Sequence, residues 1–201
     1  MVRASDPLVV PPFVLRLPSE HALTEEQFYE LGQRNPELRL ERTAEGELII
    51  MEPEGGDSGG RNFAFITRLG AWAEQDGQGK GFGSSTGFRL PDGAIRSPDA
   101  AWVRHERWQR LTPEERRKFP PLSPDFAAEI LSPTDDLEMA QAKMREYIDN
   151  GVRLGWLFDP ERRRVFVYRA GSAVEVLDDP ERLDGGPVLP GFVFDPRILF
   201  S

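Results

Sequence analysis

The chain has 201 residues, 39% of them hydrophobic and 29% charged, with a formal net charge of −9 and no cysteine. That length suits one well-cored domain over 1–201 and is short for two; no apolar run approaches the roughly 20 residues of a membrane helix. A chain without cysteine has no disulfide framework, zinc–thiolate site or thiol nucleophile, so any metal site must use oxygen or histidine. The acidic total argues against a general nucleic-acid coat, because phosphate binding relies on lysine and arginine releasing counterions. The charge is uneven, however: residues 58–170 carry +2, against −8 for 19–57 and −4 for 171–201. A cytoplasmic protein with a local basic surface on that middle segment fits these figures.

Met1 to Pro18 alternates apolar residues with four prolines and lacks the unbroken apolar core of a secretory signal, so an extended arm is expected over about 1–20. Thr24-Glu25-Glu26-Gln27 has capping-box spacing and predicts a helix to about Gln33, stopped by Asn35-Pro36. Leu38–Leu40 and Leu48–Met51 read as a hairpin about Ala44-Glu45-Gly46, followed by a Gly-rich loop from Glu54 to Gly60. Phe63, Phe65, Ile66, Leu69, Trp72 and Ala73 recur at helical spacing, predicting a long helix from Arg61 to Asp76 with Gly77 as its stop.

Strands are expected over Gly81–Leu90 and Ser97–Val103, on either side of a Pro91-Asp92-Gly93 turn. A polar insert with a short helix at Thr112-Pro113-Glu114-Glu115 comes next, then a buried strand over Phe126–Leu131. Asp135 or Asp136 can cap a helix whose face is Leu137, Ala140, Met144, Tyr147 and Ile148, ended by Asn150-Gly151. Arg153–Phe158 and Arg164–Tyr168 should pair across Asp159-Pro160-Glu161-Arg162. The pattern is α/β or α+β, a mixed sheet flanked by helices.

Three features combine into a chemistry. Pro98-Asp99 heads a strand, Glu129 sits within the next apolar strand, and Lys143 lies on the helix after it. Two carboxylates at adjacent strands can anchor a hard cation such as Mg2+ or Mn2+, which keeps several waters, and the carbonyl of Ile130 could add a third ligand. Such an ion activates water and offsets charge on a phosphate oxygen, and the Lys143 ammonium could support the transition state. The competing readings are a turn aspartate, a structural salt bridge for Glu129, and for Lys143 a solvated helix residue paired with Asp136 or Glu146. Ser132 and Asp136 fit helix entry as well as support of the site. His21 and His105 are isolated in sequence, and Gly55–Gly60 lacks the lysine and spacing of a phosphate loop. Arg104, Arg107 and Arg110, with Arg116, Arg117 and Lys118, could grip a DNA backbone, and a charged solvated insert explains them nearly as well.

The motifs Ser97-Pro98-Asp99-Ala100-Ala101-Trp102-Val103, Pro124-Asp125-Phe126, Glu129-Ile130-Leu131-Ser132-Pro133, Lys143-Met144-Arg145-Glu146-Tyr147, and Gly155-Trp156-Leu157 before Asp159-Pro160 resemble the Uma-two family. That family is placed in the PD-(D/E)XK nuclease superfamily, and the likeness covers roughly Thr24 to Phe194. The resemblance implies a restriction-endonuclease-like fold, metal binding by Asp99 and Glu129, and Lys143 as the catalytic lysine. It also implies a departure: Leu131 stands two residues after the acid, where the superfamily usually carries lysine, and the lysine has migrated to the helix. Glu41 is a possible additional acid near the metal, with an exposed strand charge an equal alternative. The expected function is metal-dependent endonuclease cleavage of DNA by a homodimer or higher homo-oligomer. The rivals are a non-catalytic nucleic-acid-binding or assembly module that keeps the nuclease fold, and, more weakly, glycosidic chemistry by the two acids.

Overall fold

The computed structural model describes residues 13–51 and 53–200; the first twelve residues of the expected arm lie outside them. In chain order the elements are β1 (Phe13–Leu15), α1 (Glu25–Arg34), β2 (Arg39–Arg42), β3 (Leu48–Met51), α2 (Gly56–Asp76), β4 (Gly79–Gly83), β5 (Phe88–Arg89), β6 (Ile95–Arg96), β7 (Ala100–Arg104), α3 (His105–Gln109), β8 (Phe126–Ile130), α4 (Leu137–Asp149), β9 (Leu154–Asp159), β10 (Arg164–Arg169), β11 (Glu175–Asp178), β12 (Leu183–Asp184) and β13 (Val193–Phe194).

A mixed six-stranded sheet has the order β11-β10-β9-β8-β7-β4, with β8 and β9 parallel and the other neighbours antiparallel. The parallel pair requires a crossover, and α4 supplies it. A second, antiparallel sheet has the order β1-β3-β2-β6-β5, and β12 pairs with β13. The described part of the arm is therefore not wholly free-standing, since Phe13–Leu15 pairs with Leu48–Ile50.

Strand alternation decides which helix each residue of the six-stranded sheet faces. Ala100, Trp102, Phe126, Ala128, Ile130, Trp156 and Phe158 pack with Phe65, Leu69 and Ala73 of α2. Ala101, Val103, Ala127, Leu131 and Leu157 pack with Met144 and Tyr147 of α4. Odd-numbered positions of β7 and β8 thus face α4. Gly155 of β9 gives α4 room to lie close, because a Cβ there would stand 2.5 Å from the Met144 methyl.

Local chemistry explains the helix ends. Thr24 and Gln27 form the reciprocal capping box of α1, and Asp136 caps α4 by accepting from Met139 N–H at 2.8 Å. Elsewhere the structure corrects the sequence reading. The glycines from Gly56 to Gly60 are not a loop but the first turns of α2, with Gly59 N–H bonded to Gly55 O at 2.9 Å. Tertiary packing overrides glycine's low helix propensity here, because Ser58, Asn62, Phe65, Leu69 and Ala73 make one buried stripe. The insert holds α3, which its polar composition hid, and only a 3-10 turn at Glu115–Arg117.

The expected strand over Gly81–Leu90 is split between β4 of one sheet and β5 of the other, and the expected strand over Ser97–Val103 begins only at Ala100. Arg96 ends β6 in one sheet and Ala100 begins β7 in the other, so Ser97-Pro98-Asp99 is where the chain changes sheets. Pro98 suits that crossing, having no N–H to give a ladder.

Candidate active site

The antiparallel register pairs Ala100 with Ala128 and Ala101 with Ala127; one further step sets Asp99 opposite Glu129. Both positions are odd-numbered, so both side chains lie on the α4 side of the sheet. Asp99 Oδ2 accepts from Ile130 N–H at 2.8 Å. The Ile130 carbonyl leaves its strand on the same lateral side as that N–H. Lys143, two turns into α4, places Nζ 2.8 Å from Glu129 Oε1 and 2.8 Å from Glu41 Oε1. Tyr147, one turn further along, donates its hydroxyl to Glu129 Oε1 at 2.9 Å.

Glu41 is not an exposed strand charge: its side chain is 2% exposed. It arrives from the other sheet, on β2, and accepts from Ser97 N–H at 2.9 Å and from Arg96 at 3.1 Å. Arg96 also holds Glu146 at 2.7 Å, so neither Asp136 nor Glu146 is the partner of Lys143. Arg39, two residues before Glu41 on the same strand face, reaches Glu54 at 2.5 Å and lies 3.6 Å from Asp99 Oδ1. Asn62 of α2 holds the other Glu54 oxygen at 2.7 Å.

These groups border a cleft of about 990 Å³ between the five-stranded sheet, the start of α2 and the length of α4. Val14, Ile49, Met51 and Met139 give it an apolar wall. Among the described residues eleven acidic and five basic side chains line the cleft, so its lining is acidic rather than basic. Glu41 comes from β2, Glu45 and Glu47 from the β2–β3 connection and Glu54 from the segment before α2, so the acidic segment 19–57 folds over the site that the near-neutral middle segment carries.

Arg104, Arg107 and Arg110 do not border the cleft. Arg104 is at the other end of β7 from Asp99, about 16 Å along the strand, and lies over the Trp102 ring. Arg107 closes on buried Asp125 at 3.1 Å and Arg110 pairs with Glu106, so packing and local ion pairs occupy the three. His105 lines a smaller hollow of about 450 Å³ beside α2 and β4.

Burial sets the electrostatics of the cluster. It raises the Asp99 carboxyl above its ordinary range, despite the Ile130 N–H and the Lys143 and Arg39 charges. It pushes Glu129 up to about 8, against the attraction of Lys143 and with the added repulsion of Asp99 and Glu41. For Glu41 burial pulls the same way, but Lys143 and Arg96 together outweigh it and hold that carboxyl below its usual range. Burial would discharge Lys143, and Glu129 and Glu41 instead raise its pKa. Burial raises Tyr147, helped by the charges of Glu129 and Glu41, and keeps its hydroxyl a donor.

A pH dependence follows. The folded state holds a proton on Glu129 up to about pH 8, whereas the unfolded chain loses it near the ordinary 4.5. The stability from this group is complete below 4.5 and declines as pH rises through 8. Urea unfolding at pH 5 and pH 8 should show a drop attributable to Glu129, and Glu129→Gln should flatten it. An equal drop in that variant would assign the effect elsewhere.

The donor set suits a hard divalent ion: two carboxylates side by side, both disfavoured as bare anions, with a backbone carbonyl at the same edge. Among the described residues no three acidic or histidine side chains form a complete cage. A cation would therefore rest on Asp99 and Glu129 and retain waters, as magnesium tends to.

A family model described as "Uma2: Putative restriction endonuclease" matches residues 25–197, most of the chain. The chain belongs to the Uma2 family. No functionally curated protein matches the sequence. Among solved structures, one titled as a "putative nuclease belonging to DUF820 from Anabaena variabilis ATCC 29413" is 21% identical to this Uma2 chain, with a TM-score of 0.71. The match covers 89% of this chain and 97% of the other, and it establishes a shared α/β fold. Among the described residues of the Uma2 chain no helix is long and apolar enough to cross a membrane.

Motif reading named Asp99, Glu129, Lys143 and Glu41, and these four come together. It missed Arg39, Glu54, Asn62 and Arg96, whose positions depend on two sheets meeting. Tyr147 stood in the apolar face of α4 and in the Lys143–Tyr147 motif, with no role in the site assigned to it. A phenol at helical spacing one turn beyond Lys143 was the available signal for it.

Proposed function

We propose that the cleft hydrolyses DNA phosphodiester bonds with a divalent cation, Mg2+ or Mn2+, held by Asp99 and Glu129 and the Ile130 carbonyl. The supporting observation is the buried cross-strand carboxylate pair with the Lys143 ammonium 2.8 Å from one of them, on the wall of an open cleft. When bound, such an ion lowers the pKa of a water and neutralises charge building on a phosphate oxygen.

The protein's own groups divide the remaining work. Lys143 and Tyr147 both engage Glu129 Oε1 and fix the carboxylate's orientation, while Oε2 accepts no hydrogen bond among the described residues. Glu41 keeps Lys143 charged and pointed at the site, so a preorganised positive charge meets the phosphate without reorganisation. The two sheets and α4 recess this centre from bulk water, which strengthens each interaction within it. A homodimer would supply one such centre for each DNA strand.

Plasmid and single-stranded DNA incubated with manganese test the reading. The parent protein is expected to cut and Lys143→Ala to cut about 10²-fold more slowly, the usual cost of removing one preorganised electrostatic group. Equal rates would remove Lys143 from the mechanism. No cleavage of either substrate under manganese or magnesium would favour the non-catalytic module.

A further inference from the structure

We propose that Arg39 is a substrate-binding residue whose guanidinium stands beside Asp99 in the free protein and transfers to a DNA phosphate when the cation site fills; this rests on the nuclease reading above. Arg39 approaches the carboxylate pair at Asp99 and Lys143 at Glu129. Lys143 is bonded at 2.8 Å to two buried acids. Among the described residues Arg39 has one close partner, Glu54 at 2.5 Å, while its approach to Asp99 Oδ1 is 3.6 Å, beyond hydrogen-bond reach.

Among the described residues its Nε is buried with no hydrogen-bond partner, and its side chain remains 28% exposed. An arginine fork satisfied on one arm only retains donors for a planar or tetrahedral oxyanion, the task for which guanidinium outperforms ammonium. Strand alternation aims it there: Arg39 and Glu41 share the face of β2 that forms the cleft wall, and Arg39 sits across from Met51 of β3. Glu54, itself gripped by Asn62, tethers the guanidinium within reach of Asp99 without drawing it into a tight pair.

Two opposite effects follow from one substitution. The guanidinium is a like charge to a divalent ion at Asp99, so removing it should tighten metal binding. It is also a phosphate partner, so removing it should weaken DNA binding.

Calorimetric titration of the full chain with Mn2+ alone, in the absence of DNA, is expected to give about threefold to tenfold tighter binding for Arg39→Ala than for the parent. Steady-state cleavage should show KM for DNA raised about tenfold, with kcat changed less. Arg39→Lys should restore metal affinity to the parental value and recover KM only in part, because lysine lacks the fork. Weaker metal binding by Arg39→Ala, or an unchanged KM, would overturn the assignment and mark Arg39 as a structural partner of Glu54. A parent protein that cleaves nothing would remove the nuclease reading and this inference with it, whereas an active parent matched by Arg39→Ala would remove this inference alone.

Discussion

Asp99→Asn is expected to reduce manganese-dependent cleavage by about 10³-fold or more while leaving the fold at least as stable as the parent's. The amide keeps an oxygen able to accept from Ile130 N–H, so the contact that joins the head of β7 to β8 survives. What disappears is a buried negative charge that desolvation already disfavours, as the raised Asp99 pKa indicates. A group whose charged form is disfavoured in the folded state adds nothing to stability at neutral pH, so the urea midpoint should hold or rise.

Metal linkage supplies the second readout for this variant. At about 100 times its Kd, manganese should stabilise the parent by about 2.7 kcal/mol through mass action. The variant should lose most of that gain. Undiminished cleavage, or an unchanged manganese shift, would take Asp99 out of the metal site.

Glu41→Ala should be the most destabilising single change in the cluster, by about 3–5 kcal/mol, measured by urea unfolding at pH 7. Its carboxylate is the shared counter-ion of Lys143 and Arg96, both largely buried, and it also satisfies Ser97 N–H at the sheet crossing. Among the described residues, truncation leaves Lys143 with Glu129 alone and Arg96 with Glu146 alone, and it orphans one backbone donor. Glu41→Gln keeps an acceptor and should cost clearly less.

The pH signature of Glu41 is opposite to that of Glu129. Its lowered carboxyl gives stability that is present above the ordinary carboxylate pKa and is lost as pH falls below it. The stability advantage of the parent over Glu41→Gln should therefore shrink as pH falls from 7 through the carboxylate range. A loss under about 1 kcal/mol in Glu41→Ala would mean that Glu129 and Glu146 suffice as counter-ions for Lys143 and Arg96.

Local determinants were legible from residue order because their partners stand three or four positions apart. The capping box at Thr24, the Asp136 cap and the apolar face of α4 are of this kind, and each appears where its spacing places it. Asp99, Glu129 and Lys143 were legible as motif members, an acid at a strand head, an acid amid apolar residues and a lysine on the next helix. Two assignments were misread for physical reasons. The glycines at the start of α2 are weak helix formers held by a buried stripe, and the run Gly81–Leu90 is shared between two sheets, as β4 and β5.

Amino-acid order alone thus determined the elements, their caps and the chemical types available for a site, since these depend on neighbours in the chain and on strand or helix period. Only the tertiary structure decided that Asp99 stands opposite Glu129, that Glu41 is a buried counter-ion, and that Arg39 reaches the same cleft while Arg104, Arg107 and Arg110 do not. Register, the meeting of two sheets and the folding of the acidic segment 19–57 over the middle of the chain are properties of surfaces in contact. A one-residue slip would turn Asp99 or Glu129 to the α2 side, and no local pattern forbids that slip as strongly as the packing of both faces does.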